Sequence, residues 1–247
     1  LLAHNPLQHL GIERSYKGEN LLRLNGESSS VAEITSLLPI QILNNDSFAL
    51  LTEGPCLRRQ FMNWGAFHVK PTFLKLWRNY QRALKQRNTA LKMKRAVKEV
   101  SLWDTLLCTS AYEISAMRAD FIAAFTQNFL PFFNDFFKFK HLNIQYYSVW
   151  PAEKDLMDVL VANRIKDYDL GYTYYGPHRA DLKITINKQP AEDFLSRGQQ
   201  KIFVWLMRLS QSLLIQKVSQ KEVVFLVDDI SAELDETRLE AFCKLIL

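Results

Sequence analysis

Val223-Val224-Phe225-Leu226-Val227-Asp228-Asp229 is the stretch on which the fold turns. Five consecutive apolar residues read as a strand buried on both faces, the kind that builds a parallel sheet. A carboxylate closing such a strand lies at its C-terminal edge, where α/β sheets bind ligands. Nucleotide hydrolases use an Asp placed there to hold Mg²⁺, usually through water, and a neighbouring acid to orient or deprotonate an attacking water. Apolar strands ending in Asp also occur with no such role, so the surroundings decide the reading.

Upstream lies Leu195-Ser196-Arg197-Gly198-Gln199-Gln200-Lys201, directly before an apolar-rich helix expected over 199–218. Ser196 stands where an N-cap belongs, and Gly198 permits close backbone approach. A helix N-terminus with free N–H groups and a positive dipole end suits a phosphate, although an ordinary capped helix starts the same way. Downstream, Ser231-Ala232-Glu233-Leu234-Asp235 follows the carboxylate pair. In order and spacing the three pieces resemble the ABC ATPase pattern of LSxGQ signature, Walker B strand and D-loop.

Charge is distributed unevenly. Between Glu53 and Glu99 there is no acidic residue. Of the chain's 31 Lys and Arg, twelve fall in that interval, leaving 19 against 26 Asp and Glu elsewhere. This concentration points to a polyanion partner, with a solvated helix face as the plainer alternative. Within the interval Phe73, Trp77, Tyr80, Leu84 and Leu91 recur at helical spacing and form one apolar stripe. Lys75, Arg78, Arg82 and Lys85 fall on the opposite face and are the sharper candidates for DNA phosphates; Arg58 and Arg59 are further candidates. Trp77 and Tyr80, on the stripe, are assigned to packing rather than base stacking.

Other segments fill in an α/β chain. Leu21 to Leu24 is a strand closed by the turn pair Asn25-Gly26, and Val31 to Leu38 a short helix ended by Pro39. Ile40 to Leu43 is a short strand, and 57–66 is helical. The pattern Ile114, Met117, Phe121, Ala124, Phe125 predicts a second long helix, antiparallel to the first and ended by Pro131. Strands are expected over Leu142 to Val149 and Leu182 to Ile186. Cys56, Cys108 and Cys243 are far apart, as free thiols in a reducing cytoplasm would be, and the scattered histidines give no support to a metal hydrolase. No run approaches the roughly 18 apolar residues of a membrane span.

More specific motifs narrow the class. Tyr175-Gly176-Pro177-His178-Arg179-Ala180-Asp181-Leu182 looks like the GPHR(x)DL stretch of the RecF family. Glu53 to Gly65 resembles that family's GP..RR.F.DWG segment, and Leu84-Lys85-Gln86-Arg87-Asn88-Thr89-Ala90-Leu91 its LKQRNxxL helix. The resemblance runs from about Ile34 to the C-terminus. It implies an ABC/SMC-type ATPase head with an inserted α-helical lobe: 1–42 as the remainder of the ATP-binding lobe, 43–219 as the helical lobe, and 220–247 as Walker B strand and D-loop.

The resemblance also implies roles. Asp228 would support Mg²⁺, and Asp229 would polarise the hydrolytic water. Ser196, Gly198 and Gln199 would contact the γ-phosphate of ATP bound to a second copy, with Asp235 at that dimer interface. Gln41 falls where the family's Q-loop glutamine lies; a surface-loop glutamine is the equal alternative. The function implied is ATP-dependent binding of single-stranded DNA and duplex/single-strand junctions in recombinational repair, replication-fork maintenance and the SOS response. An ATP-closed homodimer would do this, with weak DNA-dependent ATPase activity, alongside RecR and RecO in the cytoplasm. No GxxxxGK[ST] occurs in these residues. The chain therefore reads as a fragment without the N-terminal part of the ATP-binding lobe, expected to bind ATP poorly. Two competitors stay open: a catalytically empty nucleic-acid-binding or scaffold protein, and another SMC-type head, which would need a coiled coil longer than this hairpin.

Overall fold

The computed structural model describes residues 8–14, 20–151 and 153–228; Asp229, Asp235 and Cys243 lie outside them. Strands β1 (Leu10–Arg14), β2 (Asn20–Leu24) and β3 (Glu27–Ser29) form an antiparallel meander. Asn25 and Gly26 both take positive φ (52° and 87°), as a two-residue hairpin between β2 and β3 requires. Helix α1 (Val31–Leu37) follows, capped by the Ser30 hydroxyl, then β4 (Ile40–Leu43), a 3₁₀ turn (Asn45–Phe48) and α2 (Ala49–Thr52).

Next come α3 (Pro55–Val69), α4 (Phe73–Lys92), the short α5 (Val97–Ser101) and the 33-residue α6 (Asp104–Phe136). Helix α6 runs through Pro131 rather than stopping there. The lost N–H costs about 3 kcal/mol, and aromatic packing across the site opposes the break. Phe121, Phe125, Phe129 and Phe133, four apart on α6, continue to Phe137 with successive ring centroids 5.4–6.3 Å apart. Phe203 meets three of these rings from across the core.

The remaining elements are β5 (Leu142–Tyr147), α7 (Leu156–Ala162), α8 (Arg164–Leu170), β6 (Asp181–Ile186), β7 (Gln189–Pro190), α9 (Ala191–Phe194), α10 (Arg197–Ser219) and β8 (Val224–Val227). Strands β5, β6 and β7 make an antiparallel sheet, in which β5 and β6 fall where strands were expected. Helix α10 is buried nearly all round, with Ile202 to Met207 inaccessible in sequence, as a central core helix must be.

Strand β8 departs from expectation. It pairs in parallel with β4, Ile40 opposite Val224 through Leu43 opposite Val227. Yet Val224, Leu226 and Val227 are 38%, 50% and 46% exposed. Among the described residues these two strands pair only with each other, and α10 covers just the face carrying Gln41 and Leu43. Continuous hydrophobicity marked the strand correctly, but among the described residues only one of its faces is covered.

Two cores result. One surrounds the phenylalanine ladder, α10 and the inner faces of β5 and β6. The other lies between α4, α6 and α7, built on Tyr80, Leu107, Ile114 and Leu156. Gly65 lets α3 approach α6: a Cβ there would stand 2.0 Å from Phe121 Cζ. Gly65→Ala should therefore destabilise by roughly 1–3 kcal/mol from overpacking, although alanine is the better helix former. Adding Phe121→Leu should recover part of the loss; chemical denaturation of the two variants measures both effects.

Candidate nucleotide edge, signature helix and basic face

The C-terminal edge of the β4–β8 pair carries the first set of candidate residues. The Asp228 N–H donates to the Leu43 carbonyl at 2.9 Å, continuing the ladder and leaving Asp228 exposed at the strand's end. Gln41 lies within β4 and is buried, so it is not the surface-loop residue of the alternative reading. Its Nε2 donates to Gln211 Oε1 at 2.9 Å and its Oε1 accepts from Arg208 Nη1 at 3.2 Å. Gln211 in turn donates to the Phe61 carbonyl. Burial lowers the Arg208 pKa, and its Nε has no partner among the described residues. Gln41, Asn44, Trp64, Arg208 and Gln211 line an open cleft of about 690 Å³ at this edge.

Arg208 and Gln211 escaped the sequence reading. Their signal was that they are the only two long polar side chains between Ile202 and Ile215, three residues apart, which marks one shared face.

The signature residues stand at the far end of the same helix. Ser196 caps α10 in a reciprocal capping box: its Oγ accepts from the Gln199 N–H at 3.4 Å, and Gln199 Oε1 accepts from the Ser196 N–H at 2.9 Å. Ser196 and Gly198 are exposed. A Cβ built on Gly198 would meet nothing within 4 Å among the described residues, and its φ is ordinary, so none of them demands glycine there. Twelve residues separate Ser196 from Arg208, about 18 Å of helix.

The basic interval divides by environment. Lys75, Arg78, Arg82 and Lys85 are all exposed on one side of α4, in no ion pair among the described residues, while Tyr80 on the other side is fully buried. Arg58 is different. It pairs with Asp181 at 2.7 Å and donates to the carbonyls of Leu50, Leu51 and Glu53. Arg59 donates to the Ala180 carbonyl at 3.1 Å. Both tie α3 to the strand β6 entry and are half-buried there, unlike the four exposed cations of α4. Arg87 is wholly buried, bound to Asp104 at 2.7 Å and Asp167 at 2.6 Å.

The Gly176-Pro177-His178-Arg179 motif is a structural knot. Gly176 has φ 144°, and a Cβ there would lie 2.4 Å from the Tyr80 hydroxyl. His178 Nε2 lies 3.0 Å from the Thr173 carbonyl, so it carries the proton and donates. Nδ1 then accepts from Tyr80 Oη at 2.6 Å. Burial first, then the charges of Arg179, Arg59 and Arg118, press the His178 pKa down to about 4. Arg118, fully buried, donates to the Pro177 carbonyl at 2.7 Å and to Asn63 Oδ1, and lies over the Trp77 ring.

With a sheet edge at one end of α10 and an exposed helix start at the other, the chain has the α/β fold of an ATPase head of the ABC/SMC class. The solved structure of the recombination mediator protein RecF with ATP superposes with a TM-score of 0.87 over 96% of this chain and 68% of that one, at 22% identity. A second solved structure, of RecF-ATPrS, gives 0.86 at the same coverage. The DNA replication and repair protein RecF of Pseudomonas aeruginosa (strain LESB58) is 39% identical over 248 residues, spanning 100% of this chain and 67% of that protein. RecF of Pseudomonas entomophila (strain L48) is 38% identical over 248 residues, spanning 99% and 67%. No protein-family profile matches. The chain belongs to the RecF family and spans about two thirds of these relatives' length.

Near the cleft, His68 packs edge-on against Trp64 and Phe67, with no partner for either nitrogen among the described residues. Burial, with Lys221 adding, lowers its pKa to about 4. A histidine depressed on folding contributes stability above its unfolded pKa of 6.5, lost as pH falls toward 4. His178 acts in the same window and sense. Stability should therefore fall between pH 7 and pH 5. His68→Leu should flatten that fall by on the order of 1 kcal/mol, read from urea midpoints at the two pH values.

Proposed function

We propose that this chain is the signature-and-Walker-B part of an ATP-dependent DNA-binding protein of DNA replication and recombinational repair. Two copies close on ATP and grip DNA. The observation that carries this reading is the placement of Ser196 and Asp228. Both are exposed, yet the helix between the Ser196 cap and the Gln41–Arg208 contact spans about 18 Å. A γ-phosphate and its Mg²⁺ lie within a few ångströms of each other, so one copy cannot present both ends to one nucleotide. A second copy, face to face, brings its Ser196 to the first copy's Asp228. Gly198 fits the same arrangement: no described residue requires glycine there, and its backbone is open to an incoming phosphate.

Asp228 is a single exposed carboxylate at a strand end. That suits Mg²⁺, which keeps waters and phosphate oxygens and needs only one or two protein carboxylates. When bound, the ion would neutralise phosphate charge. In this reading Asp229 orients the attacking water, Gln199 joins Ser196 on the γ-phosphate, and Asp235 lies at the dimer interface. Gln41, held by Gln211 and Arg208, sits where movement of the sheet edge is passed to the buried helix α10.

Lys75, Arg78, Arg82 and Lys85 are the phosphate-contacting face, serving single strands and duplex/single-strand junctions through charge alone. Slow hydrolysis would release the clamp. The solved relatives are described as recombination mediators of the RecFOR pathway. RecR and RecO are therefore the protein partners proposed here, in the cytoplasm; no described helix is long and apolar enough to cross a membrane.

Two experiments test this reading. In a chain of the relatives' full length, Asp228→Asn should drop ATP turnover to background while leaving the fold intact by circular dichroism. Unchanged turnover would remove Asp228 from the site. The pair Arg78→Glu and Arg82→Glu should weaken DNA binding about tenfold or more and lower the salt slope by about 2. Anisotropy titrations across a range of salt concentrations measure both, and an unaltered slope would place DNA elsewhere.

A further inference from the structure

Tyr172-Thr173-Tyr174-Tyr175 is used neither by the nucleotide edge nor by the basic face of α4. Thr173 points inward. Its N–H and hydroxyl both meet Asn88 Oδ1 at 2.8 Å, and its hydroxyl accepts from Arg87 Nη1 at 2.8 Å. With Thr173 buried, Tyr172 and Tyr174 are left half-buried at the surface. Each ring carries a cation over its face: the Arg179 guanidinium 5.0 Å from the Tyr172 centroid, and the Lys166 ammonium 3.6 Å from that of Tyr174. Tyr175 meets Tyr174 edge-on at 4.9 Å and packs inward against the second core.

The segment lies alongside α4. A Cβ on Gly171 would touch Lys92 at 3.3 Å, Thr173 is bound to Asn88, and Gly176 abuts Tyr80. It therefore runs antiparallel to α4 over the twelve residues from Lys92 back to Tyr80, about 18 Å. Lys85 lies about 60° around the helix from Asn88, so the tyrosines border the basic face. Lys92, Lys166 and Arg179 are exposed around them. The acids nearby in sequence are Asp169, exposed, Asp167, buried and neutralised by Arg87, and Asp181, half-buried and paired with Arg58.

We propose that Tyr172 and Tyr174 form a stacking platform for unpaired bases of a DNA strand, whose phosphates are taken by Lys92, Lys166 and Arg179. The proposal rests on the DNA-binding reading above and deepens it. An unpaired base has a free π-face and stacks on an aromatic ring irrespective of sequence. A duplex base has both faces covered, so the platform rejects duplex while the all-cationic α4 face accepts either form. The cations now over the rings need only swing aside to meet phosphates when a base takes their place. Strand character is thus read by the tyrosines and polyanion character by α4.

The test compares the full chain with Tyr172→Leu/Tyr174→Leu, which keeps apolar bulk, and with Tyr172→Phe/Tyr174→Phe, which keeps the rings. Anisotropy is measured on an oligo-dT strand and on a duplex of equal length. The leucine pair should lose roughly tenfold or more on oligo-dT, with duplex affinity and salt slope unchanged, and the phenylalanine pair should restore binding. Photocrosslinking of an iodouracil oligonucleotide to the wild-type protein should mark Tyr172 or Tyr174 and needs no substitution. Equal losses on both DNAs, or undiminished oligo-dT binding together with crosslinks elsewhere, overturn the platform while leaving the α4 reading intact. A wild-type protein that binds neither DNA overturns both.

Discussion

The lobe that carries the basic helix depends on one buried guanidinium. Arg87 is inaccessible to solvent and is held by Asp104 of α6, Asp167 of α8 and Thr173 of the loop beyond. Arg164 closes the group with a second bond to Asp104. Removing such charges from water is expensive, and a buried ion pair often stabilises no more than apolar packing would. What the group supplies is direction: an arginine that must meet two carboxylates on two other helices allows one rotation of α4 about its axis. That rotation buries Tyr80 and Leu91 and turns Lys75, Arg78, Arg82 and Lys85 to solvent.

The same logic extends along the chain. Tyr80 meets His178, Arg118 holds Pro177, and Arg59 and Arg58 hold Ala180 and Asp181, so the Gly-Pro-His-Arg turn is anchored from three helices. Arg58 also grips the carbonyls ahead of α3, beside the cleft at the end of β4. Helix α3 thus carries both sets of contacts: its Phe61 carbonyl meets Gln211, the partner of Gln41, and its Arg59, and its Asn63 through Arg118, meet the turn that leads back to the loop of Tyr172 and Tyr174. Helix α10 spans the other core as a rigid rod, with its exposed cap at one end and its grip on Gln41 near the other.

Much of the fold was legible because local chemistry and tertiary need agree there. The α4 stripe, the Ser196 cap, the Asn25-Gly26 turn and the β8 run each follow from one periodicity or one backbone requirement. Readings failed where a distant partner outweighs the local rule. Pro131 ought to end α6, but the helix continues through it to Phe136, with Phe133 packed against Phe203 of α10 and Phe137 beyond the helix. A charge count, for its part, does not separate Arg58, Arg59 and Arg87 from Lys75 or Arg78; the first three face Asp181, a carbonyl and two buried carboxylates more than fifteen residues away.

The amino-acid order by itself determined the class of protein. The signature, the Walker B run and the family's motifs are contiguous, and contiguous residues keep their spacing in any fold. It also located the excess of positive charge, since a missing acid needs no structure to be noticed. Tertiary structure alone decided which cations face water and which are bound inside. It alone set the signature serine a helix-length from the sheet edge and laid three tyrosines beside α4. Those outcomes depend on packing between segments remote in sequence, and no local pattern records the distance or direction of a partner that folding has yet to bring near.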